Sequence, residues 1–315
     1  MQKRSLGNSG IQIAPLVFGG NVFGWTADES MSFRLLDAFL AAGFDCIDTA
    51  DVYSRWVPGH QGGESETVMG NWLKARGCRD RVVIATKVGM EMGPGRKGLA
   101  SSYIEQSIEG SLKRLQTDYI DLYQSHTDDA DTPQEATLET YAKLIKQGKV
   151  RAIGASNFKG ARLESALKAS AQRGLPVYQT LQPHYNLCER GDYERDLEPL
   201  CLANGIGVIP YFSLAAGFLT GKYRSEADLS KSPRGGGLKK YLNERGLRIL
   251  NALDTVSKNT SSTPASVALA WLLARPSITA PIASATNLAQ MDTLLAGARL
   301  ALERSAMDLL NQASA

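Results

Sequence analysis

The run Ile47-Asp48-Thr49-Ala50-Asp51-Val52-Tyr53 decides how this chain reads. Gly43 stops a helix-like stretch, and residues 44–48 then read as a short buried strand. A carboxylate ends that strand and a phenol follows in the next loop. Two later strand-like segments end in the same way: 82–86 leads into Lys87, and 120–124 leads into Ser125-His126. Ionisable groups at the carboxyl ends of parallel strands are where barrel and open α/β folds place their chemistry.

Outward from that run, strand-like and helix-like segments alternate along the chain. Residues 2–6 and 11–13 flank the turn-rich Gly7-Asn8-Ser9-Gly10, which predicts a leading hairpin. Strands are expected at 16–18, 44–48, 82–86, 119–124, 150–154, 177–181, 207–211 and 278–282. Helical periodicity fills 30–42, 65–76, 101–115, 133–147, 159–172, 192–204, 239–258, 264–274, 287–296 and 302–312. Thr132-Pro133-Gln134-Glu135 has the form of a capping box with proline at the first helical position, and Thr263 is expected to cap a helix beginning at Pro264. Eight strand–helix units predict an α/β fold: a (β/α)8 TIM barrel with an N-terminal hairpin and additional helices, in one domain over 1–315.

Composition narrows the function. The 315 residues are 43% apolar with a formal charge of +3, and no long basic block occurs. Nucleic acid and membrane are therefore not expected as partners. The N-terminus lacks the apolar run of a secretion signal, and the longest apolar run, 267–274, is far short of the ~20 residues that span a bilayer. Cys46, Cys78, Cys188 and Cys201 show no paired spacing and read as reduced thiols of a cytoplasmic protein. His60, His126 and His184 are scattered, so no metal site is predicted.

A phenol with an ordinary pKa near ~10 needs a neighbouring cation to trade protons at neutral pH. Lys87 is the candidate cation, Asp48 its holder and counter-charge, and His126 a donor to a carbonyl oxygen. Such a set suits C=O reduction, with hydride reaching carbon while Tyr53 protonates oxygen. The bland reading makes Asp48–Lys87 a structural ion pair, and the convergence of three strand ends argues against it. Side chains do not store hydride, so a nicotinamide or flavin is required. Gly205-Ile206-Gly207 precedes a strand rather than following one, and 217–223 has the wrong spacing for a phosphate loop, so neither dinucleotide motif is present. The late strand-end loops are the alternative binding surface: Ser156-Asn157, Gln179 or Gln182, Tyr211, and Ser284-Ala285-Thr286-Asn287 opening the last barrel helix.

These residues together resemble the aldo-keto reductase family, in its bacterial NADP-dependent form. The marks are Asp48 to Tyr53, Gly63-Glu64-Ser65-Glu66, Thr86-Lys87, Asp118-Tyr119-Ile120-Asp121-Leu122-Tyr123 leading to His126, Gly148 through Asn157, and Gln182-Pro183-His184-Tyr185-Asn186-Leu187. The resemblance implies a barrel binding NADP(H), with NAD(H) as the alternative, and a small-molecule carbonyl substrate. It implies Tyr53 as general acid assisted by Lys87, Asp48 and His126. It assigns the nicotinamide carboxamide to Ser156, Asn157 and Gln182, the last chosen over Gln179 by its spacing to Tyr185. It implies that Tyr211 stacks on the nicotinamide and that Ser213, Leu214, Gly217, Leu219, Gly221 and Lys222 line the pyrophosphate. Ser284, Thr286 and Gln290 fall near the adenosine phosphate.

Two departures stand out. Thr127-Asp128-Asp129 follows the histidine where many members carry a bulky residue and Pro-Asp, and Thr286 stands where arginine often meets the 2′-phosphate. A sensor subunit like the potassium-channel β subunits is the competing function, disfavoured by the short lead before the hairpin. A Schiff-base lyase with Lys87 as nucleophile is a third. Substrate choice is expected in loops 54–63, 88–100, 126–132 and 213–238. Trp25 and Trp56 either wall an apolar pocket or pack as ordinary loop residues, and 93–98 reads as a solvated loop. The expected state is a monomer or weak homo-oligomer.

Overall fold

The computed structural model describes residues 2–232 and 235–315. A hairpin of β1 (Arg4–Ser5) and β2 (Gln12–Ile13) opens the chain. Its turn lies directly against the barrel: Gly7 has φ +57°, and a Cβ there would sit 2.1 Å from the Gln179 carbonyl oxygen. Only glycine fits on both counts.

Eight strands follow: β3 (Val17–Gly19), β4 (Cys46–Asp48), β5 (Val83–Val88), β6 (Ile120–Ser125), β7 (Val150–Ser156), β8 (Thr180–Gln182), β9 (Gly207–Val208) and β10 (Ile282–Ala283). They pair in parallel in the order β10-β3-β4-β5-β6-β7-β8-β9. Thr279 N–H donates to the Val208 carbonyl at 2.8 Å and Ile282 N–H to that of Pro210 at 2.9 Å, which brings the segment leading into β10 onto β9. The strands thus curl into the predicted TIM-type barrel.

The outer layer comprises α1 (Glu29–Ala41), α2 (Glu64–Arg76), α3 (Ser101–Leu115), α4 (Gln134–Lys146), α5 (Gly160–Arg173), α6 (Glu198–Asn204), α7 (Glu244–Asn259), α8 (Pro264–Leu273) and α9 (Leu288–Gly297), with α10 (Arg304–Ser314) ending the chain. Thr263 caps α8 as expected, accepting from Ser266 N–H at 3.1 Å. Three local expectations differ. Thr132 makes no capping box; its hydroxyl donates to Asp129 Oδ2 at 2.7 Å, and α4 starts after Pro133. The helix expected from 192 opens with a wide π turn, Tyr193–Leu197, before α6. The helix expected from 239 starts at Glu244, where Asn243 supplies the cap that the three glycines before it cannot. Among the described residues no helix is long and apolar enough to cross a membrane.

The barrel interior is layered by the two-residue period of its strands. Val17, Cys46, Ala85, Leu122 and Ala152 meet the hairpin's Leu6, Ile11 and Ile13 in an apolar plug. Two residues further along the same strands, on the same interior face, stand Gly19, Asp48, Lys87, Gln124 and Gly154. Gly154 makes room there: a Cβ would crowd Thr180 Oγ1 at 2.2 Å and Gln124 Cγ at 3.1 Å. One step toward the carboxyl ends, the core changes from apolar to ionisable.

Candidate active site

Lys87 is the centre of that polar layer. Its fully buried ammonium donates to Asp48 Oδ2 at 2.5 Å, to the Thr49 carbonyl at 2.8 Å and to Tyr53 Oη at 3.1 Å. An ammonium has three hydrogens, so these partners saturate it. The second Asp48 oxygen accepts from Gln182 Nε2 at 2.8 Å and Gln124 Nε2 at 3.2 Å. Because the phenolic oxygen accepts from lysine, the phenol's own hydrogen is left for another acceptor.

Electrostatics fix the protonation states. Burial alone would lower Lys87, but the charge of Asp48 and the contact with Tyr53 outweigh it and hold the ammonium above its ordinary value. Burial raises the Tyr53 phenol; Lys87 pulls it down, Asp48 pushes it up, and the net direction is up. Desolvation outweighs the lysine charge, so Tyr53 is held as a protonated donor at neutral pH, the form that a general acid requires. A lysine held by three acceptors and kept charged argues against Lys87 as a Schiff-base nucleophile, which needs a neutral amine.

His126 completes the group. Burial and the neighbouring Lys87 charge hold its imidazole well below the ordinary value, so it is neutral. Its ring meets Tyr53 edge-on, with centroids 5.8 Å apart, and its Nδ1 has no hydrogen-bond partner among the described residues. All four predicted catalytic side chains therefore share one place.

The predicted carboxamide set lies alongside. Asn157 Nδ2 donates to the His126 carbonyl at 2.9 Å and to Ser156 Oγ at 3.2 Å, while Ser156 Oγ donates to the Gln182 carbonyl at 2.9 Å. Tyr211 Oη donates to Asn157 Oδ1 at 2.8 Å, and its ring stacks on His184 at 5.3 Å. The 213–222 segment is more folded in on itself than the sequence suggests. Ser213 is buried with its hydroxyl on the Pro210 carbonyl, Leu219 belongs to the core, and the N–H groups of Gly217, Leu219 and Gly221 donate within the segment. Leu214 is half-buried and Lys222 exposed. Ser284 Oγ donates to Asn21 Oδ1 at 2.6 Å, and Thr286 uses both its N–H and its hydroxyl on Gln290 Oε1, at 2.9 and 3.1 Å.

Sequence reasoning missed Gln124 and Asp51. Gln124 lies two residues past the plug residue Leu122, so strand alternation alone points it inward beside Asp48. Asp51 is buried, its Oδ1 has no partner among the described residues, and burial together with Glu66 pushes its carboxyl up to about 8.

A parallel barrel with a tyrosine, lysine, aspartate and histidine gathered at its strand ends has the groups of a proton-transfer enzyme site. Comparison with known sequences gives the family. The chain belongs to the aldo/keto reductase family, whose model matches residues 15–315. YrpG, an uncharacterized oxidoreductase of Bacillus subtilis strain 168, is 34% identical over 319 aligned residues, covering 99% of this chain and 95% of its own. YhdN, an aldo-keto reductase of the same strain, is 32% identical over 305 residues, covering 93% and 88%. A probable voltage-gated potassium channel subunit beta of Oryza sativa subsp. japonica is 32% identical over 297 residues, covering 91% and 88%.

Proposed function

We propose that this chain reduces aldehydes or ketones to alcohols with NADPH, using Tyr53 as general acid. The observation that carries the reading is the saturated Lys87 ammonium, which joins Asp48 to the phenolic oxygen of Tyr53 beside a neutral imidazole. A bound nicotinamide supplies hydride to the carbonyl carbon. Tyr53 gives its phenolic proton to the carbonyl oxygen. Lys87, already donating to Tyr53 Oη, stabilises the phenolate left behind, and Asp48 keeps the lysine charged and aimed. His126 donates an N–H to the substrate oxygen and orients it. In the direction of oxidation the same phenolate takes the proton back.

The donor set around the barrel mouth suits a dinucleotide. Ser156, Asn157 and Gln182 are assigned to the carboxamide; Gln182 spends its amide hydrogens on Asp48 and Gln124, so its carbonyl oxygen is the group it offers. Tyr211 offers the ring face not taken by His184. Leu214, Gly217 and Lys222 are assigned to the pyrophosphate, and Ser284, Thr286 and Gln290 to the adenosine end at the start of α9. With its carbonyl oxygen held by Thr286, Gln290 presents its amide hydrogens, which favours NADPH, with NADH as the alternative. The whole chain is read as one reductase domain, cytoplasmic in keeping with four free, buried cysteines.

Fluorescence titrations with NADPH and NADH, each followed by turnover of 4-nitrobenzaldehyde, test the reading. Tight NADPH binding with turnover is the expected result. The rice relative named as a channel subunit supports a second reading, a cofactor-binding sensor, which would bind without turnover over a wider carbonyl panel. Binding of neither nucleotide overturns both.

A further inference from the structure

Gln124 stands in the same interior layer as Asp48 and Lys87 and is fully buried. It pairs with Lys87 in the β5–β6 register, and the missing side chain of Gly154 on β7 leaves the space it fills. The two ends of its amide serve different partners. Nε2 donates to Asp48 Oδ1 at 3.2 Å, and Oε1 accepts from Gln182 Nε2 at 3.4 Å. Gln182 Nε2 also donates to Asp48 Oδ1, at 2.8 Å. The three side chains therefore close a small ring of hydrogen bonds, from which Asp48 turns its other oxygen to Lys87.

We propose that Gln124 is a positioning residue that couples the nicotinamide-facing amide of Gln182 to the Asp48–Lys87 pair behind the proton donor. This deepens the reductase reading and rests on it. A carboxylate turns about its Cβ–Cγ bond, so an ammonium on one oxygen leaves its plane free. Amide donors on the other oxygen fix that plane, and with it the direction from which Lys87 meets Tyr53. Being neutral, they favour ionised Asp48 without offering it a second counter-charge. On the cofactor side, a flipped Gln182 would turn its carbonyl against two acceptors, Asp48 Oδ1 and Gln124 Oε1. Gln124 thus helps to keep that carbonyl free for a carboxamide. Both tasks need a donor and an acceptor on one side-chain end, which an amide has and an apolar residue lacks.

NADPH titrations and 4-nitrobenzaldehyde turnover across acidic to mildly alkaline pH, for wild type, Gln124→Met and Gln124→Glu, test the proposal. Methionine keeps the volume and removes both bonds; kcat is expected to fall about ten-fold and NADPH affinity about three-fold. Glutamate separates positioning from mere filling. As a neutral acid it donates to Asp48 and accepts from Gln182; once ionised it only accepts, and it faces Asp48 as a like charge. Asp48 on β4 and Lys87 on β5 are the charged groups of this layer, Tyr53 and His126 are neutral, and Gly154, Thr180 and Gln182 from β7 and β8 do not titrate. Buried beside a carboxylate, the new acid should ionise above the ordinary glutamate value. The kcat of Gln124→Glu is therefore expected within about three-fold of wild type at acidic pH, and about ten-fold below it at alkaline pH. Wild-type kcat and NADPH affinity in Gln124→Met overturn the proposal, as does a Gln124→Glu to wild-type rate ratio that ignores pH. Should wild type bind NADPH but turn over no carbonyl, the reductase reading fails and affinity alone decides. A loss in Gln124→Met that Gln124→Glu restores at acidic pH then supports the coupling, and any other pattern overturns it. Absence of NADPH binding overturns both.

Discussion

Lys87 Nζ and Asp48 Oδ2 lie 2.5 Å apart, with the lysine side chain fully buried and that of Asp48 almost so. Two charges removed from water are tolerated only as a pair, because each supplies the field that the other lost. Asp48→Asn or Lys87→Met alone leaves one charge buried without its partner and is expected to destabilise the fold by about 3–5 kcal/mol. Asp48→Asn combined with Lys87→Met buries no charge and is expected to be more stable than either single variant, though inactive. Urea unfolding followed by circular dichroism measures all three; a double variant as unstable as the two singles summed contradicts the pair argument.

Tyr53→Phe keeps the ring contacts with Trp56 and His126 and removes only the hydroxyl. Turnover is expected to fall by at least ~10²-fold, the lower range for a lost general acid, with NADPH affinity within about three-fold. Since burial raises the phenol above its ordinary value, reduction by wild type should not lose its proton donor anywhere near neutrality. The alkaline limb belonging to Tyr53 is expected only above the ordinary tyrosine range. Stopped turnover in the variant, with nucleotide binding intact by fluorescence titration, is the decisive pattern; most of the activity surviving would remove Tyr53 from the mechanism.

How far the chain was legible follows from the range of each interaction. Asp48, Lys87 and His126 announce themselves because each stands at the end of a strand-like segment. The Gly7 turn and the Thr263 cap are equally local. Thr132 misled because a capping box is a local signature, whereas its hydroxyl is drawn to Asp129 in the loop before it. The direction of the Tyr53 shift is not legible for a related reason: the charge of Lys87 is visible in sequence, the desolvation that outweighs it is not. Glu64 belongs to a recognised motif, but its hold on Ser54 depends on a loop path that no periodicity encodes.

Asp51 ionises in the ordinary carboxylate range when the chain is unfolded, but in the folded state burial and Glu66 push it up to about 8. Between those values the native state holds a proton that the unfolded state has released. Stability therefore falls as pH rises through that window. Asp51→Asn keeps the shape and removes the titration. Relative to the variant, wild type is expected to lose Tm steadily between about pH 5 and pH 8 in thermal melts. A difference independent of pH would mean that the folded protein already carries Asp51 charged.

Thr286 precedes Asn287, which caps α9 by accepting from Gln290 N–H at 2.9 Å, and Thr286 binds Gln290 Oε1 through both N–H and hydroxyl. Thr286→Arg retains the backbone N–H contact and loses the hydroxyl one, while it adds a guanidinium at the start of the helix. An arginine–phosphate contact is charge-assisted and can be bidentate, whereas Thr286 spends its donors on Gln290, which offers a neutral amide only. If the 2′-phosphate of NADPH lies here, the variant should bind NADPH about ten-fold more tightly and NADH within about two-fold of wild type, by fluorescence titration. The gain should shrink with added salt, as a charge contact near the surface does. Equal gains for both nucleotides would place the new charge against the pyrophosphate, which they share, and so move the adenosine phosphate away from α9.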